Sequence, residues 1–101
     1  MPHIMEMPKF KIKQGVSEEE FLQAHDRFNR EFMAKQQGYV SHSLVRQKDT
    51  WFDVAVWDSE ESKNKAFKEI YDSKVAMDFV QLIDESGSDD EIPLFTVIKD
   101  Y

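Results

Sequence analysis

Residues 51 to 57, Trp-Phe-Asp-Val-Ala-Val-Trp, are apolar at every position but Asp53. β-branched and aromatic residues without Gly or Pro mark a strand. One face carries Trp51, Asp53, Ala55 and Trp57; the other carries Phe52, Val54 and Val56. Both faces are largely apolar, whereas an antiparallel sheet commonly leaves one face wet. Helices covering one face would leave the other to a second copy of the same sheet.

The flanking segments follow their own periods. Residues 4 to 13 read as a first strand, with Pro8 marking an edge or a bulge because it lacks a ladder donor. After the turn Gln14-Gly15-Val16, Ser17 to Glu20 forms a capping box. The helix it opens is expected to reach about Gln36. Phe21, Ala24, His25, Phe28 and Phe32 lie on one stripe at spacings of three and four. Gly38 is the expected stop. Tyr39 to Lys48 alternates as a second strand and pairs with 51–57 across Lys48-Asp49-Thr50. Asp58 or Ser59 caps a further helix whose apolar positions are Ala66, Phe67, Ile70 and Tyr71. The pattern slips at Asp72-Ser73. It resumes as a helix burying Val75, Ala76, Phe79, Leu82 and Ile83. Glu85 to Glu91 reads as a solvated acidic loop, and Ile92 to Lys99 as a last strand. Strand, helix, strand, strand, broken helix, strand is the ferredoxin-like βαββαβ order. The fold class is therefore α+β, with a four-stranded antiparallel sheet and helices on one face.

Composition narrows the function. A chain of 101 residues is expected to form one domain, residues 1–101. Eight Phe, three Tyr and two Trp make its apolar content largely aromatic. A net charge of −7 argues against nucleic acid, whose phosphates need clustered Lys and Arg. It also opposes anionic membranes, and no apolar run approaches the roughly 20 residues needed for a span. With no Cys there is no disulfide, zinc-thiolate site or thiol nucleophile, which fits a cytoplasmic protein. The N-terminus lacks the pattern of a signal peptide. Glycines stand only at 15, 38 and 87, so no phosphate-cradling loop is expected.

The Gly38-Tyr39 step, the hairpin strand ending Val56-Trp57, the Asp58-Ser59-Glu60-Glu61 that follows, and the helix broken near Ser73 resemble the dimeric α+β barrel superfamily. The likeness is to the antibiotic biosynthesis monooxygenase family in particular and covers essentially the whole chain. It implies a homodimeric barrel joined through the sheet faces. It also implies, as leading activity, cofactor-independent oxygenation of an aromatic or polyketide-like phenol or quinol. A non-catalytic ligand-binding or stress-response protein of the same fold is the alternative. Trp57 occupies the place of a tryptophan used by haem-degrading members. Their first-strand Asn has no match at Glu6 or Met7, and residues 59 to 85 contain no His to ligate haem. Haem degradation is therefore disfavoured, and no cofactor or metal is expected.

The candidate residues each carry two readings. His25, in the apolar stripe, is a general base or a satisfied core histidine. Trp57 is a wall for a planar ligand or a packing residue. Tyr71 supplies a phenol at a cavity mouth or sits half in water. His42, with Val40, Leu44 and Arg46 on its parity, faces a cavity or the sheet–sheet interface. Tyr39 and Phe28 complete the expected ligand contacts. The catalytic expectation is His25 as base, Trp57 as wall, and Tyr71 or His42 as donor.

Overall fold

The computed structural model describes residues 2–84 and 91–101. The first strand is split. β1 (Ile4–Glu6) and β2 (Lys9–Ile12) flank Met7-Pro8, and both pair antiparallel with β4 (Thr50–Trp57). Pro8 gives no donor, but its carbonyl accepts the Asp53 N–H at 3.0 Å, so the ladder continues past it. β3 (Tyr39–Gln47) forms a hairpin with β4, turning at Lys48 with φ 57°. β6 (Leu94–Thr96) borders β1, and β5 (Ile83–Asp84) borders β2. The sheet is the antiparallel ferredoxin-like one, with the first strand central and its outer neighbour divided in two.

Helix α1 (Glu18–Glu31) starts where Ser17 Oγ accepts the Glu20 N–H at 3.0 Å. It stops five residues before the expected Gln36, and Met33–Lys35 winds as a 3-10 turn. Phe32 and Met33 are both buried. Consecutive α-helical residues diverge by about 100°, and the change of winding lets both reach the core. Gly38 has φ +89° and lies against Ser62 and Asp58, leaving no room for a Cβ.

Helix α2 (Glu60–Ile70) is capped by Ser59, and α3 (Lys74–Val80) by Ser73, so the break falls at the expected place. Ala66, Ala76 and Phe79 are buried as expected. Tyr71 is 78% exposed, because α2 ends one residue earlier. Leu82 and Ile83 are not helical either. Lys13 N–H donates to Leu82 O at 2.9 Å, and Ile83 pairs with Ile12. The open edge of β2 draws the chain out of the helix, since edge donors and acceptors need partners. The last strand is shorter than expected, Leu94–Thr96, extended by Val97 N–H to His3 O at 2.9 Å. Most of the expected acidic loop, residues 85–90, lies outside the described residues.

The core sits between the helices and one sheet face. Along β4, Trp51, Asp53, Ala55 and Trp57 are buried while Phe52, Val54 and Val56 are half-buried. Phe28 and Phe79 stack at 4.8 Å, and Phe21 lies 5.2 Å from Trp51. The opposite face presents Phe52, Val54 and Val56 beside the exposed Val45 and Phe95, whose register partners place them there. No helix among the described residues is long and apolar enough to cross a membrane.

Candidate active site

One charged side chain, Asp53, stands among Trp51, Ala55 and Trp57 on the inward face of β4. Two imidazoles meet it. The stripe of α1 delivers His25, whose Nε2 lies 2.9 Å from Asp53 Oδ1. β3 delivers His42, paired in register with Ala55, with Nε2 2.5 Å from the same oxygen. A bulge between Tyr39 and Ser41 lets Tyr39 and His42 both turn inward and leaves Val40 exposed. Val40 therefore does not share the His42 face, contrary to simple alternation. Asn29 braces the arrangement. Its Oδ1 accepts from the Tyr39 hydroxyl at 3.2 Å and lies 3.0 Å from His42 Nδ1. Both ring nitrogens of His42 thus face oxygens.

Burial alone would push the Asp53 carboxyl up. The hydrogen bonds from His25 and His42, with their charge, outweigh it and hold the group below the ordinary carboxylate value. Asp53 is therefore a buried anion compensated by its neighbours.

A second carboxyl stands on the next strand. Glu6 is buried opposite Ala55, and Trp57 Nε1–H donates to its Oε1 at 3.0 Å. Its Oε2 is buried and has no partner among the described residues. Burial raises its pKa. The Trp57 hydrogen bond and the charge of Lys63 pull the other way, and the negative charge of Asp53 adds to the rise, which prevails.

Both acids line a cavity of about 590 Å³ between sheet and helices, walled by Phe28, Phe67 and Phe79 among others, with Tyr71 also lining it. That size suits a small organic ligand. Of the expected site residues, Phe28 and Tyr71 touch the cavity. Trp57, 1% exposed, does not line it and reaches it only through Glu6. His25 and His42 stand behind Asp53 rather than on the wall, and Tyr39 stands behind Asn29. Sequence reasoning missed Asp53 and Glu6. The available signals were a lone carboxylate on an aromatic strand face and the shared parity of Glu6 with Phe10.

His25, His42 and Asp53 also offer three ligand atoms within 4.8 Å of one another, a set that suits a divalent transition metal. Both Nε2 atoms already converge on one carboxylate oxygen, so holding an ion would require those hydrogen bonds to open.

Fold and cavity together define a ferredoxin-like α+β protein with an aromatic cleft and two carboxyls of opposite character. No family model matches the sequence, and no curated protein matches it. Solved structures do match. SnoaB, a cofactor-independent oxygenase from Streptomyces nogalater, is 22% identical, covering 99% of this chain and 97% of its own, with TM-score 0.75. A protein from Chloroflexus aurantiacus, assigned as an antibiotic biosynthesis monooxygenase, is 15% identical over 98% and 96% of the two chains, with TM-score 0.67. A variant of MhuD with two manganese protoporphyrin IX molecules per active site is 15% identical over 97% of each chain, with TM-score 0.64. The chain has the fold of the antibiotic biosynthesis monooxygenase-like proteins.

Proposed function

We propose that the chain is a cofactor-independent monooxygenase acting on a phenolic or quinol small molecule. The observation that carries this reading is a carboxylate, anionic between two imidazoles, opening onto an aromatic cavity. The phenol O–H donates to Asp53, which takes its proton, while His25 and His42 donate to Asp53 Oδ1 and hold the carboxylate in place. The resulting anion is electron-rich and needs no external reductant. Its ring carbon gives an electron pair to dioxygen in two one-electron steps, forming a C–O bond and a peroxide. Breakage of the O–O bond, with loss of the ring hydrogen and release of one water, leaves a quinone. The aromatic walls exclude water and spare the anion competing hydration. Tyr71 at the cavity supplies a further donor.

The test is dioxygen uptake with naphthols as substrates. One dioxygen should be consumed per quinone formed, and Asp53→Asn should slow uptake by about 10²–10⁴-fold, the range for a general base. Wild-type protein without uptake, or Asp53→Asn at full rate, overturns the reading. One observation favours the second reading, a non-catalytic binding protein: both imidazoles stand behind Asp53 rather than on the cavity wall. That reading predicts ligand-dependent thermal shifts without uptake.

The active form in this reading is a homodimer through the sheet face bearing Phe52, Val54, Val56, Val45 and Phe95. Its support is the apolar character of that face, since exposed apolar patches of this kind mark interaction surfaces. Sedimentation at micromolar protein should give a species of twice the 12.0 kDa chain mass. A well-folded monomer overturns the dimer.

A further inference from the structure

We propose that His25, His42 and Asp53 form a binding site for a divalent transition metal of the zinc class. Its regulatory consequence, that a bound ion withdraws Asp53 from the role of base, rests on the oxygenase reading above.

Three elements each contribute one ligand, and the ligand atoms lie within 4.8 Å of one another. Helix α1 brings His25 Nε2, and β3 brings His42 Nε2, to the same oxygen of Asp53 on β4. Zinc bonds of about 2.0–2.2 Å at tetrahedral angles set ligand atoms about 3.4 Å apart. The gaps of 2.9 and 2.5 Å, each closed by a hydrogen bond, would have to open by about 0.5 and 0.9 Å to admit an ion. That is the scale of a side-chain rotation, and it moves no strand or helix.

The donor set selects the ion. Two imidazoles and one carboxylate suit zinc and its neighbours. A chain without Cys offers no thiolate for softer ions, and hard cations such as Ca²⁺ take oxygen ligands. Asp53 is already held as the anion, so no proton has to leave it. A ligating imidazole keeps its proton on the far nitrogen and donates it to an oxygen. For His42 that acceptor is in place: Asn29 Oδ1 lies 3.0 Å from Nδ1, and the Tyr39 hydroxyl donates to the same oxygen at 3.2 Å. Phe79 and Phe28 stand 5.1 and 6.2 Å from the His25 ring, an apolar shell that limits competing water. Asp53 lines the cavity, so an ion enters there, and three protein ligands leave its fourth position to water. A carboxylate bound to a cation is a poor proton acceptor, so the ion and the phenol proton compete for Asp53.

The experiment titrates wild-type protein with cobalt(II), whose visible absorption reports its coordination, and then displaces it with zinc. One ion should bind per chain, with the bands of a four-coordinate site that zinc bleaches. His25→Ala, His42→Ala and Asp53→Asn should each remove the bands, whereas His3→Ala, outside the cluster, should leave them unchanged. Asn29→Ala should weaken zinc binding about 10–100-fold, the usual effect of losing the partner that orients a ligating histidine. A ligand variant can fail to fold, so the wild type supplies a second readout. Cobalt(II) should shift the ring-proton resonances of His25 and His42 far outside the diamagnetic range. No ion bound to wild type, bands that persist in all three ligand variants, or ring resonances of His25 and His42 left in place overturn the site. Zinc should also stop dioxygen uptake, and a chelator should restore it. If metal-free protein shows no uptake while cobalt(II) binds at the three residues, the oxygenase reading fails and the metal site stands. Undiminished uptake with zinc bound overturns the withdrawal of Asp53.

Discussion

Asp53 and Glu6 stand on adjacent strands, on one sheet face and beside one cavity, yet their environments push them in opposite directions. Asp53 has two imidazoles on one oxygen; Glu6 has a single indole N–H and, among the described residues, no partner for its second oxygen. Both are buried, so burial does not decide which is charged. The number and charge of the partners do. A carboxylate survives in an apolar cleft when cationic or donor groups share its charge, and otherwise it keeps its proton. Two acids separated in this way are the usual basis for assigning an acceptor and a donor within one site.

Two measurements break or sharpen this contrast, the larger first. Asp53→Leu strands two imidazoles whose rings lie 4.8 Å apart in an apolar interior. Breaking a buried charged arrangement from one side costs about 3–5 kcal/mol, to be read from denaturant unfolding at neutral pH. In the wild type the same stabilisation has a pH signature. Because the folded Asp53 pKa is lowered from 3.8, its contribution is complete above that value and disappears as pH falls through the lower folded one. A loss in Asp53→Leu no larger than that of a surface substitution breaks the contrast.

The smaller effect belongs to Glu6→Gln, and its sign runs the other way. The folded Glu6 pKa is raised from 4.5, so wild-type stability from this group is complete below that value and is lost as pH rises through the folded pKa. Glu6→Gln should therefore match wild type within about 1 kcal/mol in mild acid and become the more stable protein as pH rises. Melting curves of the two proteins across that range check it. Parallel curves would mean that Glu6 is already satisfied as an anion, and would erase the difference from Asp53.

The elements themselves were largely legible. Strand 51–57 and the α1 stripe are local patterns, and local patterns survive into the fold because alternating burial decides each residue's side. The caps at Ser17 and Ser59 follow from short-range chemistry as well, and so does the slip of the pattern at Asp72-Ser73, where Ser73 caps α3. What was missed depended on distant partners. Leu82 and Ile83 continue a helical pattern, but the bare edge of β2 claims Ile83 for the sheet. Val40 alternates correctly along β3, but a bulge against β4 reverses its side. Tyr71 sits at helical spacing from Phe67, yet α2 ends before it can be buried.

The candidate site divides the same way. His25 was visible as a polar residue inside an apolar stripe, and Phe28 as its neighbour. Nothing local links His25 to Asp53, 28 positions away, or His42 to Asp53, 11 positions away. Trp57 drew attention as an aromatic at a strand end, but its chemical partner Glu6 is 51 residues distant.

The sequence by itself determined which residues alternate, which helix faces are apolar, where the first two helices start, and that no thiol chemistry is available. Those properties depend on period and on neighbours within a few positions. Only the tertiary structure decided that two imidazoles share one carboxylate oxygen while a second carboxyl keeps an oxygen unpaired. Strand register and helix docking set those meetings, and hydrogen bonding and desolvation, which fix charge, act on the final distances rather than on the order of the chain.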